Sequence, residues 1–312
     1  MNEQIAIGVD VGGSHISCAA YNITEKKYLD NTFVENDLDN HAQPAVIIEV
    51  WGKTISETMY KAGCENVEGI GFAMPGPYDY VNGISLFTGQ NGKYENTYGM
   101  NVPAELRKYL DLPDGFKIRF INDATAFAIG EDQAGMAKNY NRSLSVTLGT
   151  GFGSAFIKNG LPVTEGDEVP DNGCLWHLPF KGGIADDYFS TRGLIARFLE
   201  KSGLEVDGVK QIAEMAENNR FAGELFADFG EQMGIFLEPW IRKFGIEAFV
   251  MGGNISRAYS LFGGSLNQYL LRKNIDLKIF ISELREVASF IGSATLINDS
   301  FYERVLPVIK TM

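Results

Sequence analysis

The sequence of 312 residues has few cysteines, no cluster of basic residues and no long apolar run. Its three cysteines, Cys18, Cys64 and Cys174, lie far apart, and a small odd number argues against both a disulfide framework and a cysteine metal cluster. We therefore expect a reducing, cytoplasmic setting. No stretch approaches about 18 consecutive apolar residues, and the N-terminus has no basic segment before its short apolar stretch, so neither a membrane span nor a secretion signal is indicated.

Positive charge is also scarce, because 27 lysines and arginines face 40 aspartates and glutamates, which gives a net charge of −13. Such a surface repels a phosphate backbone, so we expect no nucleic acid partner. A nucleotide can still bind, because a magnesium ion offsets its charge and backbone N–H groups need no basic surface. The 45% of hydrophobic residues is enough to build the cores of two domains of ordinary size.

Glycine is abundant, and it is concentrated in a pattern that occurs twice. Residues 5–21 and 143–157 each read as an apolar strand, a glycine turn and a second apolar strand, which predicts a β-hairpin. The two turns contain Gly12, Gly13, Gly149, Gly151 and Gly153. Because glycine has no side chain, its backbone N–H can approach an anion closely. The doubled turn indicates a polyphosphate held between two lobes.

The similarity continues beyond the hairpins. Each is followed by helical material and then by an apolar strand that ends in small residues, at 69–77 and 248–256. Duplicated units of this kind predict a two-lobed α/β protein with a central cleft. We place the N-terminal lobe at residues 1–122, joined by a C-terminal helix at about 297–312, and the C-terminal lobe at 123–296.

Hydrophobic spacing predicts the remaining elements. Helices are expected at 44–62, about 102–110, 188–201, 208–218, 221–243 and about 289–309. Strands are expected at 67–74, 117–121, 247–251 and 277–281. The segment 75–101 is rich in Gly, Asn and Tyr and has no sustained period, so we expect a loop that lines a small-molecule site.

Asp10 stands at the end of the first hairpin strand, directly before the glycine turn. A carboxylate there can hold the waters of a magnesium ion that bridges nucleotide phosphates. The alternative is an aspartate that only forms the turn by bonding its own backbone. Neither glycine turn has the spacing of a Walker P-loop or of a dinucleotide-binding fold.

Asn122 and Asp123 follow the strand 117–121 at the start of a predicted helix. One of them is enough to cap the helix. The other is then available, and a carboxylate at a strand end is well placed to take a proton from a substrate hydroxyl.

Taken together, five ordered motifs resemble those of the ROK sugar kinases, which have the actin-like ATPase superfold. They are DVGGSH (10–15), GFAMPGP (71–77), INDATAFAIGE (121–131), TLGTGFGSAF (147–156) and MGGNIS (251–256). The resemblance implies an α/β, two-lobed actin-like ATPase (ribonuclease H-like) fold with an interlobe active-site cleft. It also implies ATP- and Mg²⁺-dependent transfer of the γ-phosphoryl group to a sugar hydroxyl, usually the 6-hydroxyl of a hexose such as glucose.

The resemblance assigns roles to individual positions. Asp123 would be the general base, and Asp10 would hold magnesium through water. The implied ATP- and phosphate-binding residues are Asp10, Gly12, Gly13, Ser14, Gly149, Thr150, Gly151, Gly252 and Gly253, the last two on the adenosine side. The implied sugar-binding residues are Gly76, Asn91, Asn122, Asp123, His177 and Asp186.

The chain departs from the family pattern in one region. Where members have a Glu-x-x-His segment, this sequence has Cys174 to His177, so the histidine is kept and the glutamate is lost. The following residues 178–189 contain no cysteine, so we expect no zinc site. The family's second sugar-binding glutamate is replaced here by Asp186, although Asp187 aligns with that position equally well. We expect Asp186 to supply the missing acceptor, with Asp187 and Glu168 as the other candidates.

Alternative functions remain beside a glucokinase-like enzyme. The sugar could be an N-acetylhexosamine, fructose, allose or mannose. A transcriptional regulator would need a DNA-binding segment before the first hairpin, which begins by residue 5. A catalytically silent sugar sensor would have no need of Asp10, Asp123 and two phosphate turns. We expect sugar and ATP as partners, with neither nucleic acid nor membrane, and both a monomer and a homodimer stay open.

Overall fold

The computed structural model describes residues 4–63, 66–88 and 92–312, and the chain forms two compact units. Unit 1 comprises Met1–Gly135 and Glu286–Met312, and unit 2 comprises Met136–Arg285. Each unit has a five-stranded sheet of its own, covered by helices. Among the described helices, none is both long enough and apolar enough to cross a bilayer.

The strands and helices follow one another along the chain with short connections. In chain order the strands are β1 (Ile5–Val11), β2 (His15–Asn22), β3 (Lys27–Asp37), β4 (Val67–Met74), β5 (Tyr78–Asp79), β6 (Ile84–Ser85), β7 (Lys117–Asn122), β8 (Arg142–Leu148), β9 (Phe152–Lys158), β10 (Leu161–Val163), β11 (Pro179–Phe180), β12 (Gly183–Ile184), β13 (Ala248–Gly252) and β14 (Lys278–Ile281). The helices are α1 (Pro44–Ala62), α2 (Val102–Leu110), α3 (Asp123–Gln133), α4 (Ala185–Phe189), α5 (Thr191–Ser202), α6 (Val209–Met215), α7 (Arg220–Phe244), α8 (Tyr259–Arg272), α9 (Val287–Thr295) and α10 (Asp299–Ile309).

The sheet of unit 1 has the strand order β3-β2-β1-β4-β7. Strand β1 pairs antiparallel with β2, as the predicted hairpin requires, and parallel with β4, which in turn pairs parallel with β7. Because β1, β4 and β7 run in the same direction, their carboxyl ends meet at one edge of the sheet. That edge gathers Asp10, the segment after Met74, and Asn122.

Successive residues of β4 show how helices cover the two faces of this sheet, because neighbouring side chains of a strand point to opposite faces. The ring of Phe72 contacts Trp51 of α1, with ring centroids 6.3 Å apart. Gly71 faces the other way, where a Cβ atom would lie 1.9 Å from the carbonyl oxygen of Ser293 in α9. Helices α1 and α9 therefore pack on opposite faces.

Helix α9 approaches its neighbours so closely that glycine is required at the contacts. A Cβ at Gly292 of α9 would lie 1.8 Å from the carbonyl oxygen of Ala126, and one at Gly130 of α3 would lie 1.9 Å from that of Ala288. Real Cβ atoms are not found this close to backbone atoms. The two helices thus pack backbone against backbone, and α9 fixes α3 to the sheet.

This packing explains why the division of the chain differs from the one expected from sequence. The prediction ended the first lobe at residue 122 and returned to it at about 297. In the structure the first boundary follows Gly135 and the return begins at Glu286, because α3 and α9 pack against each other and against β1 and β4.

The sheet of unit 2 repeats the arrangement, with the strand order β10-β9-β8-β13-β14. Strand β8 pairs antiparallel with β9 and parallel with β13, as β1 does with β2 and β4. The repetition predicted from the glycine-rich segments is therefore present in the topology. Aromatic rings fill the core, as in the contacts of Phe189 with Phe152 and Phe229, whose centroids lie 5.2 and 5.6 Å away.

Several elements differ from the sequence prediction, and the helix expected at 188–201 is divided between α4 and α5. The terminal helix expected at about 289–309 is two helices, α9 and α10, because Asn298 interrupts the pattern and its side-chain oxygen accepts a 2.9 Å hydrogen bond from the N–H of Phe301. Strand β3 was not predicted, since its sequence KYLDNTFVEND lacks a clear alternation. As the edge strand of the sheet it pairs on one side with β2, and much of it is exposed.

Candidate active site

The first glycine turn links β1 to β2 in unit 1. The N–H of Gly12 donates to the carbonyl of His15 at 3.0 Å. In the described part of the chain, the N–H groups of Gly13 and Ser14 have no acceptor. Two neighbouring N–H groups without a protein partner form a concave donor site for an anion.

The second glycine turn, between β8 and β9 in unit 2, has the same property. The N–H of Gly149 donates to the carbonyl of Gly151 at 3.0 Å, and the carbonyl of Gly149 accepts from the N–H of Thr191 at 2.8 Å. The N–H groups of Thr150 and Gly151 have no acceptor among the residues that the structure describes. Each unit thus presents one turn able to bind phosphate.

Gly252 and Gly253 lie beside the second glycine turn of unit 2. Gly252 ends β13, and Gly253 has a φ of 80°, which lies in the left-handed region that favours glycine. A Cβ at Gly253 would lie 2.4 Å from the carbonyl oxygen of Leu148, the last residue of β8 before the second glycine turn. The chain of residues 252–253 therefore packs against the base of that turn.

Asn122 and Asp123 divide the two roles that the sequence left open. The Asn122 side-chain oxygen accepts the N–H of Thr125 at 3.2 Å and so caps α3. The Asp123 carboxylate accepts the N–H of Ala124 at 2.8 Å and the side-chain amide of Asn122 at 3.0 Å, both through Oδ1. Neither of these two bonds reaches Oδ2, and a carboxylate oxygen that is not used by them can accept a proton as a general base.

Burial raises the pKa of Asp123, and the hydrogen bond from Ala124 and the charge of Lys93 act against this rise. A higher pKa makes a carboxylate a stronger base, provided that the working pH stays above it. The ionised, basic form of Asp123 is lost as the pH falls through its raised pKa. Catalysis that depends on this carboxylate should therefore decline on the acidic side.

Asp10 is the second carboxylate at this edge of the sheet. Its pKa is raised to about 7 by burial and by the negative charges of Asp123 and Glu286. Its carboxylate accepts no hydrogen bond from the described part of the chain, so the turn-forming alternative is not what the structure contains. A carboxylate that is destabilised by like charges and lacks a partner is suited to a cation.

These oxygen donors fit magnesium, which is usually held by one or two carboxylates together with substrate phosphates and water. Asp10 is the residue that would hold it, and the ion would relieve the repulsion that raises the pKa of Asp10. Among the described residues there is no group of three or more His, Cys, Asp or Glu side chains that could hold a metal by themselves.

The electrostatics of Asp10 give a prediction about stability. Because its folded pKa is about 7 and its unfolded value is about 3.9, folding becomes less favourable as the pH rises through this window and Asp10 ionises. Asp10→Asn removes that cost, so we expect it to raise the free energy of unfolding by about 1 to 3 kcal/mol at pH 8 and by much less at pH 4.

The measurement is urea unfolding in magnesium-free buffer at the two pH values. Asp114→Asn is the matched control, since Asp114 is exposed and should show no such gain. An equal gain for Asp10→Asn at both pH values, or a loss at pH 8, would contradict the assignment of Asp10 as a strained carboxylate.

Cys174 and His177 lie together in unit 2, in the segment between β10 and α4. The sulfur of Cys174 lies 3.6 Å from Nδ1 of His177, and burial raises the pKa of the thiol to about 11. The segment is fixed at both sides, because the N–H of Leu175 donates to Oγ of Ser154 at 2.8 Å and the carbonyl of Trp176 accepts from the N–H of Asp186 at 2.9 Å. Trp176 is about half exposed, so it is not a core residue.

Asp186, the expected acceptor for the sugar, has partners inside unit 2. It is buried, and its Oδ1 accepts the N–H of Phe152, next to the second glycine turn, at 2.6 Å. Its Oδ2 forms a short ion pair with Arg192. Both oxygens thus have partners inside unit 2, and the bond to Phe152 supports the second glycine turn. The sugar contact expected of Asp186 stays a prediction.

The other two candidate acceptors are also engaged. Asp187 accepts the N–H of Ile184 and pairs with Arg192, each at 3.2 Å. Glu168 pairs with Arg142 and Lys158 at 3.2 and 2.8 Å. Those two residues are the first of β8 and the last of β9, so Glu168 lies at the strand ends opposite the glycine turn.

This geometry changes the expected phenotype at Asp186. Asp186→Ala leaves the buried N–H of Phe152 without its acceptor, while Arg192 keeps its pair with Asp187. The lost acceptor should lower the free energy of unfolding by about 1 to 3 kcal/mol. It should also weaken nucleotide binding through the turn. Cys174→Ala removes only a weak hydrogen-bonding group, and its kcat/KM for the sugar should change by less than about tenfold.

Chemical denaturation and nucleotide titration of the two variants test this ranking. An Asp186→Ala protein with wild-type stability and nucleotide affinity, but with a weakened sugar affinity, would restore the role first expected for Asp186.

Two sugar candidates come from the loop 75–101. Gly76 lies beside Tyr80, whose hydroxyl oxygen would be 3.3 Å from a Cβ at Gly76 and is 3.4 Å from the side-chain nitrogen of Asn122. Gly76 therefore lies at the same edge of the sheet as Asn122. Asn91 lies outside the described residues.

Some residues at the site gave no signal in the sequence. Tyr94 donates its hydroxyl hydrogen to the carbonyl of Gly12 at 2.6 Å, and the side-chain amide of Asn40 donates to the carbonyl of Gly13. Arg192 supports Asp186, and Glu286 adds negative charge near Asp10. Their partners are distant in sequence, and no local motif marks such contacts.

Comparison with known proteins shows similarity to sugar kinases. The chain is 26% identical to the glucokinase of Thermotoga maritima, over 94% of this chain and 97% of that protein. It is also 26% identical to an N-acetyl-D-glucosamine kinase of Vibrio parahaemolyticus, over 80% of this chain and 84% of that protein. A ROK family glucokinase from Streptomyces griseus, solved in complex with glucose and AMPPNP, has the same fold, with a TM-score of 0.71 at 21% identity over 94% of this chain and 98% of that one.

The fold similarity confirms the predicted class, a mixed α/β actin-like ATPase fold. The model of the ROK family matches residues 6–300, nearly the whole chain, and the resemblance seen in the five motifs is thereby confirmed: this protein belongs to the ROK family.

Proposed function

We propose that this protein is an ATP-dependent hexose kinase that transfers the γ-phosphoryl group to the 6-hydroxyl of glucose. The observation that supports this most is the position of Asp123. Its carboxylate is relieved of helix capping by Asn122. It stands at the strand edge that also carries Asp10 and a glycine turn with two N–H groups that have no acceptor among the described residues. A base, a cation ligand and a phosphate site are the parts that phosphoryl transfer to an alcohol needs.

Asp123 takes the proton of the attacking hydroxyl in this mechanism. Strands β1 and β7 are separated only by β4, so their ends lie about 10 Å apart, two strand spacings. That distance leaves room for a hydroxyl and a phosphoryl group in line. Because the transition state is loose, the base mainly orients the nucleophilic oxygen and accepts its proton late.

The glycine turns bind the phosphates of ATP through backbone N–H groups, and Asp10 holds magnesium through water. Bound magnesium would neutralise phosphate charge. Gly252 and Gly253 border the adenosine. Asn122, Gly76, Asn91 and His177 bind the sugar. We also propose a cytoplasmic location for the enzyme, in agreement with the scarcity of cysteine.

An N-acetylhexosamine is the second candidate substrate. The glucokinase and the N-acetyl-D-glucosamine kinase named above are equally similar to this chain in identity. The thiol of Cys174, whose raised pKa of about 11 keeps it uncharged, accepts hydrogen bonds only weakly. A pocket with a neutral thiol tolerates an apolar substituent better than one with a carboxylate, which favours an N-acetylhexosamine as the alternative substrate.

A coupled assay of ADP release tests the proposal, with glucose, N-acetylglucosamine, mannose, fructose and allose at equal concentrations. We expect the highest kcat/KM for glucose. A preference of more than about tenfold, or about 1.4 kcal/mol, for N-acetylglucosamine would replace glucose with the second candidate. The absence of sugar-dependent ADP release with every sugar would contradict a hexose kinase.

A further inference from the structure

The side chain of Lys93 lies over the first glycine turn of unit 1. A Cβ at Gly13 would be 3.1 Å from both Cε and Nζ of Lys93. Lysine has three N–H donors and a permanent charge near neutral pH, and it is a common partner of phosphate. Its ammonium thus stands next to the two N–H groups of Gly13 and Ser14 that have no acceptor in the described residues.

The position of Lys93 is fixed by its neighbour in the chain. Tyr94 is buried, contacts the ring of Trp51 with centroids 5.9 Å apart, and bonds the carbonyl of Gly12 through its hydroxyl. Its N–H donates to the carbonyl of Asn40 at 3.0 Å, and the Asn40 side chain bonds the carbonyl of Gly13. These bonds tie the segment to the turn on two sides.

The backbone of Tyr94 supports the same conclusion. Its φ of 55° lies in the left-handed region, which costs a bulky residue about 1 to 2 kcal/mol. Such a conformation persists only where surrounding contacts enforce it, and it is found most often at functional sites. Lys93 directly precedes this constrained residue, and its side chain lies against Gly13.

The charges around Lys93 leave its ammonium available. The charges of Asp123 and Glu286 act on Asp10, and the charge of Lys93 acts on Asp123. No carboxylate in the described part of the chain lies within 4.0 Å of the Lys93 nitrogen. Lys93 therefore interacts electrostatically with Asp123, the proposed general base, but does not form an ion pair with it.

We propose that Lys93 contacts the γ-phosphoryl group of ATP during transfer, as a catalytic residue beyond those implied by the family motifs. The inference rests on the proposed kinase function. In the step, the sugar oxygen forms a bond to the γ-phosphorus while the bond from that phosphorus to the bridging oxygen breaks, and its electron pair leaves on ADP. The hydroxyl proton passes to Asp123. Lys93 keeps its protons and donates to a non-bridging oxygen of the group in transit.

The test compares two nucleotides that differ by the γ-phosphate, using titration calorimetry with magnesium and no turnover. Lys93→Met removes the charge and keeps the length of the side chain. We expect it to weaken binding of a non-hydrolysable ATP analogue by at least about tenfold and that of ADP by less than about threefold. Lys93→Arg should retain most of the preference for the analogue, and Lys53→Met, at an exposed position of α1, should change neither affinity.

An equal loss of affinity for both nucleotides in Lys93→Met, or no loss for either, would overturn the assignment. Thermal unfolding of each variant checks that the fold is intact. The result is separable from the proposed function, because failure of the kinase proposal appears as a wild-type protein that phosphorylates no hexose, whereas the nucleotide comparison needs no sugar.

Discussion

Asp123→Asn is expected to lower kcat by at least about 100-fold, while the affinity for the sugar stays within about threefold of the wild type. The amide keeps the size of the carboxylate and can still accept the N–H of Ala124, but it cannot take the proton of the attacking hydroxyl. Because burial raises the pKa of Asp123, the neutral variant should be at least as stable as the wild type.

Steady-state kinetics together with a sugar titration measure the two effects separately. Asp132→Asn is the matched control: Asp132 lies on the same helix, is partly buried, and has a pKa raised to about 6 by burial, but it has no place in the proposed chemistry. Turnover of Asp123→Asn near the wild-type value would remove Asp123 from the mechanism.

Gly292→Ala is expected to destabilise the protein by more than about 3 kcal/mol, the range of severe packing defects. The added Cβ would lie 1.8 Å from the carbonyl oxygen of Ala126, so α3 and α9 must separate. Because α9 also covers Gly8 and Gly71 of the sheet, the strain cannot be relieved by a local shift. We expect lost activity as well, since α3 begins with Asp123.

The control is Gly264→Ala in α8, where nothing lies within 4 Å of the added Cβ. There the substitution should stabilise the helix by about 0.5 to 1 kcal/mol, the ordinary advantage of alanine over glycine. Urea unfolding followed by circular dichroism gives both values. A Gly292→Ala protein as stable as Gly264→Ala would contradict the backbone contact between α3 and α9.

The parts of the fold that sequence predicted well are those specified locally. Helix α1 was expected at 44–62 and occupies Pro44–Ala62, because proline favours the first helical turn and Gly63 ends the helix in a left-handed conformation. Both glycine hairpins likewise follow from short-range pattern. The sequence left open which of Asn122 and Asp123 caps α3, and in the structure Asn122 is the cap.

What sequence missed depends on contacts between distant residues. Asp186 looked like an acceptor for the sugar, but its partners Phe152 and Arg192 are set by tertiary packing. In the sequence, nothing distinguishes Lys93 from other lysines in polar loops. Its place beside the glycine turn depends on Tyr94 and Asn40, which hold the loop against that turn. The extent of unit 1 follows from glycine contacts between α3 and α9, which no periodicity reveals.

The most direct test of the central claim is identification of the product formed from ATP, magnesium and glucose by ³¹P nuclear magnetic resonance. The account predicts ADP and a sugar 6-phosphate in equal amounts, with both signals lost in Asp123→Asn and retained in Asp132→Asn. ADP accompanied by inorganic phosphate instead of a sugar phosphate, at the same rate with and without sugar, would contradict it.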